Sequence, residues 1–198
     1  MSPDTPRIAT RRLICHPATP CPAVRALEVT VAQAACGELA LRYRITADEG
    51  TLVLPPPENH CLVPTDGLWQ RTCCEVFLSR VGQSAYREFN FSPSGAWASY
   101  AFASTRQRDT AGEAAWQMPA AIRLSGSNLG FELIATLPAG QLPAGAGRLC
   151  LGLSVVIESR DRAGEQSGAG ARLSYWALKH PAPQPDFHHR DAFSLTLG

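Results

Sequence analysis

The sequence predicts an all-β fold, a two-sheet antiparallel β-sandwich, jelly-roll-like, with roughly ten strands. Three observations carry that reading. Apolar residues recur at every second position in run after run, the repeat of a half-buried strand. The runs are punctuated by Gly, Pro, Ser and Asn clusters that suit turns. No stretch shows the apolar spacing of a convincing amphipathic helix, and the richest Ala segment, LPAGQLPAGAG, carries too much Gly and Pro for one.

In chain order, a short strand is expected around Arg12 to Cys15, followed by HPATPCP, whose prolines demand an irregular crossing. Leu27, Val29 and Val31 then alternate with polar residues. After a turn at Cys36 and Gly37, so do Leu39, Leu41, Tyr43 and Ile45, giving a half-buried hairpin. Leu52 to Pro57 begins as a strand and is stopped by prolines, and a long surface loop runs on to Gly67.

The central stretch, Trp69 to Tyr100, holds the most informative polar residues. Alternation puts Cys74, Val76 and Leu78 on the core side and Cys73, Glu75, Phe77 and Ser79 opposite. In the next strand Arg87, Phe89 and Phe91 share one side, with Tyr86, Glu88, Asn90 and Ser92 on the other; Val81 to Ser84 closes the hairpin. Pairing makes Glu75, Glu88 and Asn90 neighbours on one open face. A third strand, Ala96 to Ala103, follows the SPSG turn, and the polar Arg106 to Glu113 is read as a loop.

Strands are also expected over Ala121 to Leu124 and Leu129 to Leu137. The longest is Arg148 to Glu158, with Leu149, Leu151, Leu153, Val155 and Ile157 inward and Cys150, Gly152 and Ser154 leaving room outside. Gly164 to Gly170 reads as a hairpin tip. The returning strand is assigned with Arg172, Ser174 and Trp176 outward and Leu173 and Tyr175 inward. HPAPQPDFHHRD is a second irregular crossing before a final strand carrying Phe193, Leu195 and Leu197.

The totals bound the function. A chain of 198 residues without a Ser/Gly linker or repeat is expected to form a single domain, residues 1–198. A formal net charge of +1, with basic density limited to an expected solvated tail at Arg7, Arg11 and Arg12, argues against nucleic acid. No apolar run has the length of a membrane span or secretory signal, so no membrane partner and a cytoplasmic address are expected. The odd count of 7 cysteines without a CxxC fits free thiols there, and Cys73 and Cys74 point to opposite faces.

Taken together, DGLWQRTCCEVFLS, YREFNFSPSGAW and YWALKHPAPQPDFHHRDAF resemble the DOMON-like proteins of bacteria, a group related to family 9 carbohydrate-binding modules and DOMON domains. The resemblance covers nearly the whole chain and implies a sandwich that binds a sugar or a haem on one sheet face. In the sugar-binding relatives two distant tryptophans hold a sugar ring while polar side chains bind its hydroxyls. Trp69 and Trp176 occupy equivalent positions by this resemblance, with Glu75 the first strand-borne carboxylate. The face assignment adds Glu88, Asn90 and Arg172.

The leading expectation is therefore a non-catalytic module that binds a small polar, carbohydrate-like ligand on the outer face of one sheet. The alternative is a protein-interaction or scaffold module, which would present a broad flat apolar patch instead of a pocket. A third is a haem-binding DOMON-type domain, for which the chain offers Met118 with His16, His60, His180, His188 or His189 as axial ligands; no cofactor is otherwise expected. His188 and His189 beside Asp186 and Asp191 could suggest a metal, but adjacent extended side chains diverge, and a hydrogen-bonded crossing loop is the expected role. GxSxG, HExxH and phosphate-loop motifs are absent, and Glu75 with Glu88 offers only the bare carboxylate pair of a glycosidase.

Overall fold

The computed structural model describes residues 7–56, 64–113, 121–160 and 170–197. Two antiparallel sheets hold its strands. The smaller has β1 (Arg7–Arg12), β3 (Val24–Gln33), β4 (Leu39–Ala47), β10 (Gly130–Leu137) and β9 (Ala121–Ser127), in that order. The larger runs β2 (Ile14–Cys15), β12 (Arg172–Ala177), β11 (Leu149–Ser159), β5 (Cys73–Arg80), β6 (Tyr86–Phe91), β7 (Trp97–Ser104) and β8 (Gln107–Arg108). A final strand, β13 (Leu195–Leu197), lies along the near end of β11.

The core lies between the sheets, filled by the period-two sets of their central strands. Leu27, Val29, Val31, Leu41, Tyr43 and Leu133 of the smaller sheet meet Val76, Leu78, Phe89, Phe91, Leu151 and Val155 of the larger. Tyr43 brings a hydroxyl into this apolar layer, and it is satisfied by donating to the Glu75 carbonyl at 2.7 Å.

A second cluster packs on the opposite face of the larger sheet: Phe77, Tyr86, Ala98, Tyr100 and Phe102 with Ala192 and Phe193. This face is thus not the open surface expected from alternation. The crossing after β12 lies over it, so Glu75, Glu88 and Asn90 are buried there.

Several expected elements differ. Arg7, Arg11 and Arg12 belong to strand β1, not to a tail; their side chains are exposed on an edge strand, where charge is tolerated and discourages further pairing. The segment from Leu52 makes one bridge, to Ser159, before its prolines end pairing. Arg106 to Glu113 includes β8 and a helical turn, α1 (Thr110–Glu113). Phe193 precedes the last strand and faces the outer cluster. The Gly164 to Gly170 tip, apart from Gly170, lies outside the described residues, as do Met118, His60 and Cys61.

The largest correction concerns β12. Trp176 stands opposite Val155 and Ser174 opposite Ile157, so this parity enters the core, while Tyr175, opposite Val156, faces out. Both parities carry an aromatic ring, so alternation could not choose a face. Ser174 is what makes the inward choice workable: its hydroxyl accepts the indole N–H of Trp176 at 3.0 Å. Arg172 shares this parity at the exposed start of the strand.

Candidate functional site

The larger sheet's outer face carries a cavity of about 390 Å³, near the lower end of the roughly 300–1,000 Å³ typical of small-molecule sites. Glu75 and Phe77 of β5 and Glu88 of β6 form its floor with Val156 of β11. Trp69, Tyr100, Phe102, Tyr175 and Phe187 provide aromatic walls; Arg106, Arg108 and His188 complete the lining.

Local sequence explains each position. In the β5–β6 register Glu75 stands opposite Asn90 and Phe77 opposite Glu88, so all four share one face. Trp69 lies on a single 3-10 turn, Leu68–Gln70, entered through Gly67 at φ 76°, a left-handed conformation that suits glycine. Trp69 is 40% exposed and meets the Tyr100 ring edge-on at 5.7 Å, leaving indole surface accessible at the mouth. The Tyr100 hydroxyl donates to Asp66.

The crossing loop forms the remaining wall, and several contacts pin it. His16 and His180 meet edge to face at 4.7 Å and contact backbone carbonyls of Ala182 and Ile14. Arg190 donates to the Ser79 hydroxyl at 3.0 Å and to the Gln83 carbonyl at 2.7 Å, its guanidinium 4.7 Å from the Phe193 ring centre. The adjacent histidines do diverge: His189 Nδ1 accepts from the Asp191 amide, whereas His188 turns into the pocket. Among the described residues no group of His, Cys, Asp or Glu is arranged to hold a metal ion.

His188 links the loop to the floor. Its Nδ1 shares a 2.8 Å hydrogen bond with the Tyr86 hydroxyl, which also accepts the Arg106 amide at 3.0 Å. The other ring nitrogen, Nε2, faces Glu88 Oε2 at 3.7 Å. Burial, then Arg106, pulls His188 down to about 4 against the opposing Asp186, so the ring is neutral at ordinary pH.

The floor carboxyls are shifted the other way. Burial pushes Glu88 up to about 7, against the Asn90 amide, Arg108 and Arg106. Burial and then Glu88 push Glu75 well above the usual carboxylate range, opposed by Ser154, whose hydroxyl donates to Glu75 Oε2 at 3.3 Å. Asn90 Nδ2 donates to Glu88 Oε1 at 2.9 Å. Glu75 Oε1 and Asn90 Oδ1 are both buried without a hydrogen-bond partner. They lack a donor, which a proton or a ligand can supply.

Of the expected site residues, Trp69, Glu75 and Glu88 line the cavity and Asn90 braces Glu88 from behind. Trp176 does not: it lies in the inter-sheet core, across the sheet from Trp69. Arg172 is absent from the lining, where Tyr175 stands instead. The room expected over Gly152 is filled by Phe193, since a Cβ there would come within 2.9 Å of that ring. Tyr100, Phe102, Arg106, Arg108, Phe187 and His188 are lining residues beyond those expected from the sequence. For Tyr100 and Phe102 the signal was present, because they share the parity that faces Glu88. For the loop residues no periodicity exists to read. Of the residues named as possible haem ligands, His188 lines the cavity with its Nδ1 on the Tyr86 hydroxyl, while Met118 and His60 lie outside the described residues.

No family model matches the chain, and no curated protein matches it. Among solved structures it is similar to a "putative carbohydrate-binding protein" from Bacteroides uniformis ATCC 8492, with 16% identity and a TM-score of 0.53, over 91% of this chain and 82% of that one. At that identity the likeness speaks for the fold.

Proposed function

We propose that the protein is a non-catalytic binding module, a single DOMON-like domain, that takes a small carbohydrate-like ligand in the cavity on the larger sheet's outer face. The observation that carries this reading is the pairing of an aromatic wall with a buried polar floor in one concave site. Sugar rings pack their C–H faces on aromatic surfaces and need fixed polar partners for their hydroxyls. Trp69 is the accessible platform, with Tyr100 and Tyr175 as further ring surfaces; Glu75 and Glu88 bind polar groups, and Asn90 holds Glu88 in place. The similar fold of a protein described as carbohydrate-binding supports the choice of ligand class.

Calorimetric titration with a panel of monosaccharides and disaccharides tests it. Saturable binding is expected, weakened about tenfold by Trp69→Ala with little change in thermal stability. Failure of the whole panel to bind, or binding unaffected by Trp69→Ala, overturns the reading. A protein partner captured on this face in place of a sugar would favour the interaction-module alternative.

A further inference from the structure

The floor uses two carboxyl groups where hydroxyl recognition alone needs none. A buried Asn or Gln accepts the same hydrogen bonds without the cost of a buried ionisable group. Both acids are nearly inaccessible, Glu75 at 2% and Glu88 at 5% exposed, and no Lys or Arg forms an ion pair with either among the described residues. His188, 3.7 Å from Glu88, is neutral at ordinary pH, and Arg108 and Arg106 act on Glu88 from beyond ion-pair distance.

The guanidinium groups at the rim are engaged elsewhere. Arg106 donates to Asp186 at 2.7 Å and Arg108 makes a two-point pair with Glu113 at 2.5 and 2.8 Å. Asp66, holding the Tyr100 hydroxyl, adds a further carboxylate beside the pocket. The lining itself holds two carboxyls and two guanidinium groups, but both guanidinium groups are paired with carboxylates outside it, which leaves the two floor acids without an ion-pair partner among the described residues. Its aromatic walls also favour positive charge, because the ring faces are electron-rich, and Arg108 already lies 4.4 Å from the centre of the Tyr100 ring.

We infer that the ligand carries a protonated amine, seated on Glu75 and Glu88 beneath the aromatic walls, which makes the preferred class an amino sugar with a free ammonium group. This rests on the carbohydrate-like reading of the same cavity. The ammonium supplies the donors that Glu75 Oε1 lacks and the positive charge that lets both acids ionise. The raised Glu88, near 7 in the empty pocket, fits this: an adjacent cation pulls a carboxyl back down, so binding at neutral pH expels a proton.

The test is calorimetry at pH 7.5 in two buffers of different ionisation enthalpy. The ligands are glucosamine, galactosamine and mannosamine, their N-acetyl forms, the parent neutral hexoses, and cyclohexylamine as a ring amine that is not a sugar. At least one amino sugar is expected to bind about tenfold or more tighter than its neutral and N-acetyl counterparts, with buffer-dependent heat that reports proton release. Glu75→Gln and Glu88→Gln should each erase the preference for the amine without lowering the melting temperature. Neutral or N-acetyl sugars binding as well as the amines would overturn the ammonium inference and leave the carbohydrate reading standing. Binding of cyclohexylamine with no sugar bound would do the reverse. No amine binding at millimolar concentration overturns the inference.

Discussion

Trp69 and Trp176 are the same residue type under opposite constraints. Trp69 sits on a short turn with two-fifths of its surface in solvent and meets the Tyr100 ring edge-on. Trp176 is packed between the sheets with its one polar atom satisfied inside the fold. Trp176→Ala is accordingly expected to cost about 3–5 kcal/mol in urea denaturation, the range for a buried aromatic truncated to alanine. Trp69→Ala should stay within about 1 kcal/mol while weakening ligand binding. Equal stability losses would show that both are core residues. Glu75 was legible in the sequence because a carboxylate centred in an apolar strand calls for a special environment. Alternation puts Trp176 on the wrong face because the cue that settles it, an indole N–H needing the hydroxyl two residues away, is invisible to a pattern of apolar and polar letters.

At the scale of elements, β5, β6, β10 and β11 could be read directly, since each alternates cleanly and a one-residue slip would turn its whole apolar set outward. The outer cluster could not, because the crossing over it is built from prolines, histidines and individual side-chain contacts with no repeat. Gly152 of β11 is where strand and crossing meet. A Cβ there would press on Phe193, so Gly152→Ala is expected to cost about 1–3 kcal/mol and to loosen the loop that carries His188. Faster hydrogen exchange over 186–193, with β4 and β10 unchanged, is the measurement that checks it. A different glycine fixes the smaller sheet: Gly130, at φ 145°, opens β10, and a Cβ there would overlap the Ile45 carbonyl oxygen of β4. Gly130→Ala should therefore lower stability by about 2 kcal/mol or more, seen as a drop in the urea midpoint. A midpoint unchanged from wild type would show that the β4–β10 register yields at little cost.

For the whole molecule, one eight-stranded sheet separates the inter-sheet core from an outer layer that holds Glu75, Glu88 and His188, and these three set how stability depends on pH below about 8. Glu88 has a folded value near 7 against an ordinary 4.5, so between these limits the folded state binds more protons than the unfolded one. Its contribution is fully present below about 4.5 and is lost as pH rises through about 7. Glu75, raised in the same direction, extends the decline. His188 has the opposite sign: held near 4 against 6.5, it gives stability that is present above 6.5 and lost as pH falls through 4. From about 4.5 to 6.5 the histidine offsets only one of the two carboxyls, so stability should fall gently there, and the carboxyls alone govern a steeper fall that begins at about 6.5, the range followed here ending near 8. Above that range Cys73 and Cys74, raised by burial, add a decline of the same sign, so the comparison is made below it. Urea midpoints at half-unit intervals should show this gentle and then steeper fall in the wild type. In the Glu75→Gln, Glu88→Gln double variant the fall should vanish, recovering on the order of 1–3 kcal/mol at pH 8 relative to wild type, while the histidine's rise from pH 4 to 6.5 stands alone. A decline of unchanged size in the double variant would mean that neither carboxyl holds its proton in the folded protein, and that the pocket floor is already ionised before any ligand arrives.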